Sequence, residues 1–261
     1  VSGGPKMFQL YIHKDKGLTD NLIDRCKRSG FKAMCLTVDT VVAGNRERDH
    51  RWGFTTPPKL TLKSLLSFAT HPMWSINYLT HEKFQLANVS HFTKKGSSIA
   101  KGVMEYINEQ YDPKMNWQDA EYCIKRWGGP FAIKGVMSVE DAKRAVEIGA
   151  SAIMLSNHGG RQLDGSRSPF DQLPAIAEAV GGKLEIILDG GVRRGTHVLK
   201  ALSLGATACS FGKGYLFALG AGGQKGVEAL LQRMHDEIRR DMILLGCKTI
   251  KDLKKTNIAY R

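Results

Sequence analysis

His158 and Arg161 stand three positions apart in Ser156-Asn157-His158-Gly159-Gly160-Arg161, with two glycines between them. Imidazole is the side chain that exchanges a proton nearest neutral pH, and a guanidinium grips a carboxylate through parallel N–H bonds. Together they suit proton abstraction beside an acidic group. Other candidates lie far off in sequence, each closing an apolar run: Tyr11, Asp39 in "CLTVD", Lys134 in "FAIK", Ser156 after "AIML", and Asp189 in "IILD". A buried lysine is costly without an anion, and a buried carboxylate without a donor. Lys134 and Asp39 therefore each need a partner. Asp39 beside His158 would fix one imidazole tautomer and stabilise the protonated ring, which makes a general base with an orienting carboxylate. Arg46, in "GNRERD", is a second guanidinium able to share a carboxylate with Arg161. Taken singly, these residues read as a surface histidine, a snorkelling lysine and a solvated arginine run; the combination favours a site.

A phosphate-binding end is written further on. Asp189-Gly190-Gly191-Val192-Arg193 follows one apolar run and Gly212-Lys213-Gly214 follows the next. Adjacent glycines let backbone N–H groups approach a phosphate closely, and Arg193 and Lys213 add positive charge. The competing reading is two glycine turns with solvated basic residues. The glycine-rich stretch 218–223 has no strand before it and is set aside as a dinucleotide fingerprint. His13, His50, His71, His81, His91, His197 and His235 show no metal-ligand spacing, so no metal is expected.

These residues need a scaffold that brings many strand ends together. Three segments align: "SGFKAMCLT" (29–37), "IGASAIMLS" (148–156) and "LGATACSFG" (204–212), each with a glycine, an alanine three residues on, and an apolar strand. Amphipathic helices precede two of them. One starts at Ser138 as a capping-box variant with Asp141 and turns Val139, Ala142, Ala145 and Val146 to one face; the other carries Val198, Leu199 and Leu202. With further apolar runs, the spacing predicts six strands near 8–12, 33–38, 131–135, 152–156, 185–189 and 208–211. Helix, glycine turn and buried strand in repetition make a parallel α/β array, either doubly wound or a (β/α)8 TIM barrel. Functional side chains at the C-terminal ends of nearly all strands favour the barrel, with about six of its eight βα units in this chain and two expected before Val1. Residues 40–115 are too long for a barrel loop and read as an inserted excursion, followed by an ordinary barrel helix in "NWQDAEYCIKRWG". A last helix is predicted from Val227, Leu230, Leu231, Met234, Ile238, Met242 and Leu245. The whole of 1–261 is expected to be one domain.

Composition narrows the partners. With 261 residues, 42% hydrophobic, the chain can bury a substantial core, and five cysteines without a CxxC pair read as reduced thiols of a cytosolic setting. A net charge of +13 fits acidic substrates, nucleic acid or an anionic membrane surface. No nucleic-acid motif accompanies the charge, so nucleic acid is not expected as a partner. Residues 57–79 are rich in Leu, Phe, Trp and Tyr, but Lys63, His71 and Pro72 interrupt them, so they cannot span a bilayer. Arg48, Arg51, Lys59, Lys63, Lys83, Lys94 and Lys95 lie within or beside this stretch. An apolar face with basic flanks and a tryptophan predicts a segment lying on the membrane surface.

Together "SNHGGRQLDG", "LTVDT…GNRERD", "FQLY", "IKGV" and "DGGVRRG" closely resemble the FMN-dependent L-2-hydroxy-acid dehydrogenase and oxidase family, across essentially all 261 residues. The resemblance implies oxidation of an L-2-hydroxy acid, lactate-like or mandelate-like, to the 2-oxo acid, with FMN as cofactor. It implies His158 as catalytic base with Asp39 hydrogen-bonded to it, and Tyr11, Arg46 and Arg161 as substrate contacts. Gln9, Thr37, Lys134 and Ser156 resemble flavin contacts; Asp189, Gly190, Gly191, Arg193, Gly212 and Lys213 resemble ribityl and phosphate contacts. The family usually has arginine where Lys213 stands. Its members also carry an N-terminal region with a second active-site tyrosine and two strands, so the chain reads as the C-terminal two-thirds. A homo-oligomer, tetrameric by resemblance, is expected on the cytoplasmic face of a bacterial membrane, passing electrons to quinone or another respiratory acceptor. Two alternatives accompany this reading: a barrel fragment inactive on its own, and a flavin-dependent isomerase of a phosphorylated substrate.

Overall fold

The computed structural model describes residues 3–47, 51, 61–81, 88 and 109–259. Six strands, β1 (Met7–Leu10), β2 (Ala33–Thr37), β3 (Phe131–Lys134), β4 (Ala152–Leu155), β5 (Glu185–Asp189) and β6 (Ala208–Ser210), pair in sequence order. Every pairing is parallel. Helices α1 (Lys16–Arg28), α4 (Trp117–Trp127), α5 (Val139–Glu147), α6 (Pro169–Val180) and α7 (Gly195–Ser203) return the chain between strands, and α8 (Lys213–Leu244) follows the last. Between β2 and α4 the described residues include two short helices, α2 (Leu62–Ala69) and α3 (Pro72–Thr80). This is the predicted TIM barrel with six of its eight βα units, curled open between β1 and β6.

The repeat seen in sequence has a backbone cause. Gly30, Gly149 and Gly205, the glycines that end the helix before each aligned strand, have φ of 72°, 82° and 102°. Only glycine adopts these values without penalty, and the turn lets the helix fold back on its own strand. Ser138 Oγ accepts from the Asp141 N–H at the start of α5, and Asn116 with Asp119 closes a full capping box on α4.

Two layers of apolar side chains follow from the period of two. Met34, Leu36, Ile133, Ile153, Leu155, Ile186 and Leu188 point toward the helices and form the main core with α1 and α4–α7. The alternate residues Cys35, Ala132 and Met154, with Ile187, form a second, smaller cluster inside the curl. Burial pushes the Cys35 and Cys123 thiols up to about 12, so both stay protonated among their apolar neighbours.

Strand ends and the last helix differ from expectation. β1 through β4 and β6 stop one or two residues short of the predicted ends, leaving Tyr11, Val38, Gly135, Ser156 and Phe211 in the loops where the chain turns away. The last helix begins at Lys213, and the glycine-rich stretch supplies its kink at Gly222 and Gly223. Of its apolar stripe only Met234 is buried; Leu231 and Leu245 are 50% and 43% exposed, because no further layer covers that face.

Candidate active site

The period of two that builds the inner cluster also builds the site. Thr37 at the end of β2, and Asp39 two residues on, continue the alternation of Cys35; on β3, Lys134 shares the face of Ala132; just past β4, Ser156 continues the alternation of Met154; on β5, Asp189 shares the face of Ile187. Gln9 pairs with Cys35 across the β1–β2 ladder and Tyr11 lies two residues on. All these polar groups converge on a cavity of about 1370 Å³ at the C-terminal ends of the strands. Its wall includes Gln9, Tyr11, Lys134, His158, Arg161 and Asp189, and on the far side Gly190, Gly191, Arg193, Gly212 and Lys213. Thr37, Asp39, Arg46 and Ser156 stand behind or beside that wall.

Ser156 joins floor and mouth. Its fully buried hydroxyl donates to Asp189 Oδ2 at 2.7 Å and accepts from Lys134 Nζ at 2.8 Å and from the His158 N–H at 3.1 Å. Lys134 Nζ is also 3.1 Å from Asp189 Oδ2, so the anion that the buried lysine needed is Asp189. Burial pushes the Asp189 carboxyl up, but the Lys134 charge and hydrogen bonds from Ser156, Lys134 and Ser210 outweigh it and leave it below the usual carboxylate value.

The sharp turn in "SNHGGR" is a run of left-handed residues: His158, Gly159 and Gly160 have φ of 57°, 65° and 72°. His158 is the one non-glycine residue with positive φ among the described residues, a modest strain of a kind concentrated at functional sites. The turn brings His158 Nδ1 to 3.2 Å from both oxygens of Asp39. With a carboxylate accepting at Nδ1, the neutral ring keeps its proton there and Nε2 becomes its basic atom. Thr40 Oγ1 donates to Asp39 Oδ1 at 3.2 Å. Gly135, with φ of 109°, makes room: a Cβ there would stand 2.9 Å from Asp39 Cβ.

At the β1 side, Gln9 Nε2 donates to Thr37 Oγ1 at 2.7 Å and to the Tyr11 hydroxyl at 3.0 Å. Burial, with Tyr111 close by, pushes the Tyr11 phenol above its usual value, so it remains a donor. Tyr111, absent from the sequence-derived set, packs edge-on to Tyr11 with ring centroids 6.4 Å apart. Burial raises the Tyr111 phenol too, and the Arg46 charge beside it works the other way. That puts the Arg46 charge near Tyr111.

Two helices open near the glycine-rich end of the cavity, and they differ. The N-terminus of α7 is already capped by Glu237, whose Oε2 accepts from the Gly195 N–H at 2.8 Å. The N-terminus of α8 has no side-chain cap, leaving first-turn N–H donors beside Gly212 and Lys213. A Cβ on Gly190, Gly191 or Gly212 would meet nothing within 4 Å, so this stretch of backbone is open to a ligand. Uncapped donors, open glycines and the cations Arg193 and Lys213 fit a phosphate, and a cavity of this size holds a cofactor with a small substrate. Lys213 Nζ also donates to the Gly159 carbonyl at 2.8 Å, which ties the glycine-rich end of the cavity to the histidine turn.

Residues 1–260 match the family of FMN-dependent dehydrogenases. The chain belongs to that family. Among curated relatives, an L-lactate oxidase of Nostoc sp. is 43% identical over 94% of this chain, and an L-lactate dehydrogenase of Serratia proteamaculans is 40% identical over 97%. The chain spans 62% and 67% of those two proteins' lengths. Among solved structures, the monotopic membrane protein (S)-mandelate dehydrogenase superposes with a TM-score of 0.92 and 32% identity, over 99% of this chain and 68% of that one. FMN is the cofactor of this family, and the open glycine cradle and the cationic cavity end suit it.

Proposed function

We propose that the protein oxidises an L-2-hydroxy acid, lactate-like or mandelate-like, to the 2-oxo acid. The observation that carries this reading is the His158–Asp39 pair at 3.2 Å, set at the edge of a cavity that also holds Arg161 and a phosphate-fitting end. His158, its Nδ1 proton held by Asp39, accepts a substrate proton at Nε2. Arg161 and Arg46 hold the substrate carboxylate, and Tyr11 donates to a substrate oxygen. Asp189 would accept from a ribityl hydroxyl of FMN, Gly190, Gly191, Arg193, Gly212 and Lys213 would hold its ribityl chain and phosphate, and Gln9, Thr37, Lys134 and Ser156 would contact its flavin ring. Bound FMN supplies the two-electron acceptor, and Lys134 offers its positive charge to that end of the cavity.

The excursion at 40–115 is read as the part of a single FMN-binding domain that meets the membrane. Exposed apolar side chains on α2 and α3 support peripheral attachment, and the monotopic neighbour supports a respiratory acceptor in preference to oxygen. No helix among the described residues is long and apolar enough to cross a membrane. A homo-oligomer is part of the same reading.

The test is anaerobic mixing of flavin-loaded protein with L-lactate, glycolate and L-mandelate. Bleaching of the flavin absorbance by at least one is expected, and no bleaching by any of the three sinks the assignment. His158→Gln should keep its flavin and lose at least about 100-fold in turnover, the lower end of what a general base contributes.

A further inference from the structure

His158 and Asp39 come from the loops after β4 and β2, and β3 lies between those strands. The last ladder bonds, from the Val38 N–H to the Lys134 carbonyl at 2.9 Å and from the Gly135 N–H to the Met154 carbonyl at 3.0 Å, stop short of both residues, so side chains hold the two loops together beyond them. The side chain of Gln162 does so. Its Nε2 donates to the Asp39 carbonyl at 3.1 Å and to the Val42 carbonyl at 3.0 Å, so both amide protons cross from the histidine loop to the carboxylate loop. Its Oε1 is buried without a partner, so the amide is placed for what it donates. The backbones meet just beyond: a Cβ on Gly44 would collide with the Arg161 carbonyl oxygen and lie 2.8 Å from Gln162 Cα.

We infer that Gln162 is a positioning residue, a clasp that sets the Asp39–His158 distance and brings the Arg46 loop alongside Arg161. This deepens the proposed reading of the same site, since that reading makes His158 the base and the two arginines the carboxylate grip. The clasp acts through Asp39, because Asp39 is both the residue whose carbonyl it holds and the residue whose carboxylate meets His158.

The experiment uses the full chain with ring-labelled histidine and follows exchange of the His158 Nδ1 proton with water by NMR. Gln162→Met keeps volume and removes both donors. It should speed that exchange by about tenfold, the effect of one net hydrogen bond. In an Asp39→Asn background the same change should add less than about twofold. An unchanged rate in Gln162→Met, or an equal acceleration with Asp39→Asn already present, overturns the clasp; a merely structural role would lower the melting temperature and leave the proton alone. Should Gln162→Met not fold, the wild-type side-chain amide decides. Two slowly exchanging, well-separated Gln162 amide protons are expected, and fast exchange of both overturns the inference. Neither readout involves substrate or flavin, so absence of bleaching by hydroxy acids would defeat the proposed activity and leave the clasp standing.

Discussion

Lys134 Nζ lies 3.1 Å from Asp189 Oδ2, and the Ser156 hydroxyl bridges the two. Both side chains are at least 87% buried from solvent by exposures of 9% and 13%. Removing one partner of such a pair strands the other charge, at a cost of about 3–5 kcal/mol. Lys134→Met and Asp189→Asn should each destabilise on that scale. The double variant should fall short of their sum by about 1–3 kcal/mol in denaturant unfolding. The sign with pH follows from the depressed Asp189 carboxyl. Its stabilisation is present above the usual carboxylate value and is lost as pH falls through the lower folded value. The gap between wild type and Lys134→Met should therefore be widest near neutrality and narrow in acid; strict additivity and a pH-independent gap would dissolve the pair.

Gly135 offers a test of local geometry. Its φ of 109° and the 2.9 Å approach of a Cβ to Asp39 Cβ leave no room for alanine without moving Asp39. Gly135→Ala should cost about 1–3 kcal/mol in strain. It should also break the contact between Asp39 and His158, visible as faster exchange of the His158 ring proton. A stable variant with that proton unchanged would show that the close approach is relieved cheaply.

His13 gives the clearest pH slope. Its ring is buried, Nδ1 has no partner, and burial pushes the imidazole below its usual value, with Asp15 opposing. The unfolded chain then binds the proton more readily than the folded one. Stability should fall as pH drops from about 6.5 toward the folded value, and level off below it. His13 bridges to Tyr111, so the loss bears on the tyrosine cluster at the cavity mouth. Denaturant midpoints at pH 7.5, 6.5 and 5.5 should slope for wild type and flatten for His13→Gln; parallel slopes would assign the effect elsewhere.

Much of this site is legible in sequence because period-two alternation and strand-end placement are both local. Asp39, Lys134, Ser156 and Asp189 close apolar runs, and a parallel array sends such residues to one face and one end. Lys134 and Asp39 also announced that they needed partners, and Asp189 and His158 are those partners. What stayed hidden depends on how loops lie across one another. Gln162 stands beside Arg161 in the same motif, yet its role appears only once the β2 loop is seen under its amide. Gly135 follows Lys134, but the reason for glycine is Asp39, which is 96 residues away in sequence. Tyr111 has no local signal at all. The exposed stripe on α8 shows the converse limit, since helical spacing predicts a buried face and not which element buries it.

Helices α2 and α3 carry the last prediction. α2 starts from a Thr61–Ser64 capping box and α3 from Pro72 at its first turn, so the proline that disfavours one long helix divides two short ones. Neither buries a residue: Leu62, Leu66, Met73, Ile76, Tyr78 and Leu79 are all more than half exposed, and Trp74 stacks between Phe68 and Tyr78 with centroids 5.2 and 5.3 Å away. Under the proposed function this patch is the membrane-docking face. Of the flanking bases, Arg51 and Lys63 are described, while Arg48, Lys59, Lys83, Lys94 and Lys95, with residues 57–60, lie outside the described residues. Each base near an anionic surface adds about 1 kcal/mol, which salt screens, whereas apolar insertion persists in salt. The intact protein should sediment with anionic vesicles at low salt and only partly release at high salt. Trp74→Glu with Leu66→Glu should lower vesicle binding by at least about tenfold, since each change withdraws a large apolar side chain worth about 1.5–3 kcal/mol. Because neither helix contributes to the core, these substitutions should leave the thermal midpoint within about four degrees of wild type, since each surface change is worth no more than about 0.5 kcal/mol. If the intact protein stays in the supernatant at low salt, or if the double substitution unfolds the barrel, the face is packed against protein and the membrane reading is lost.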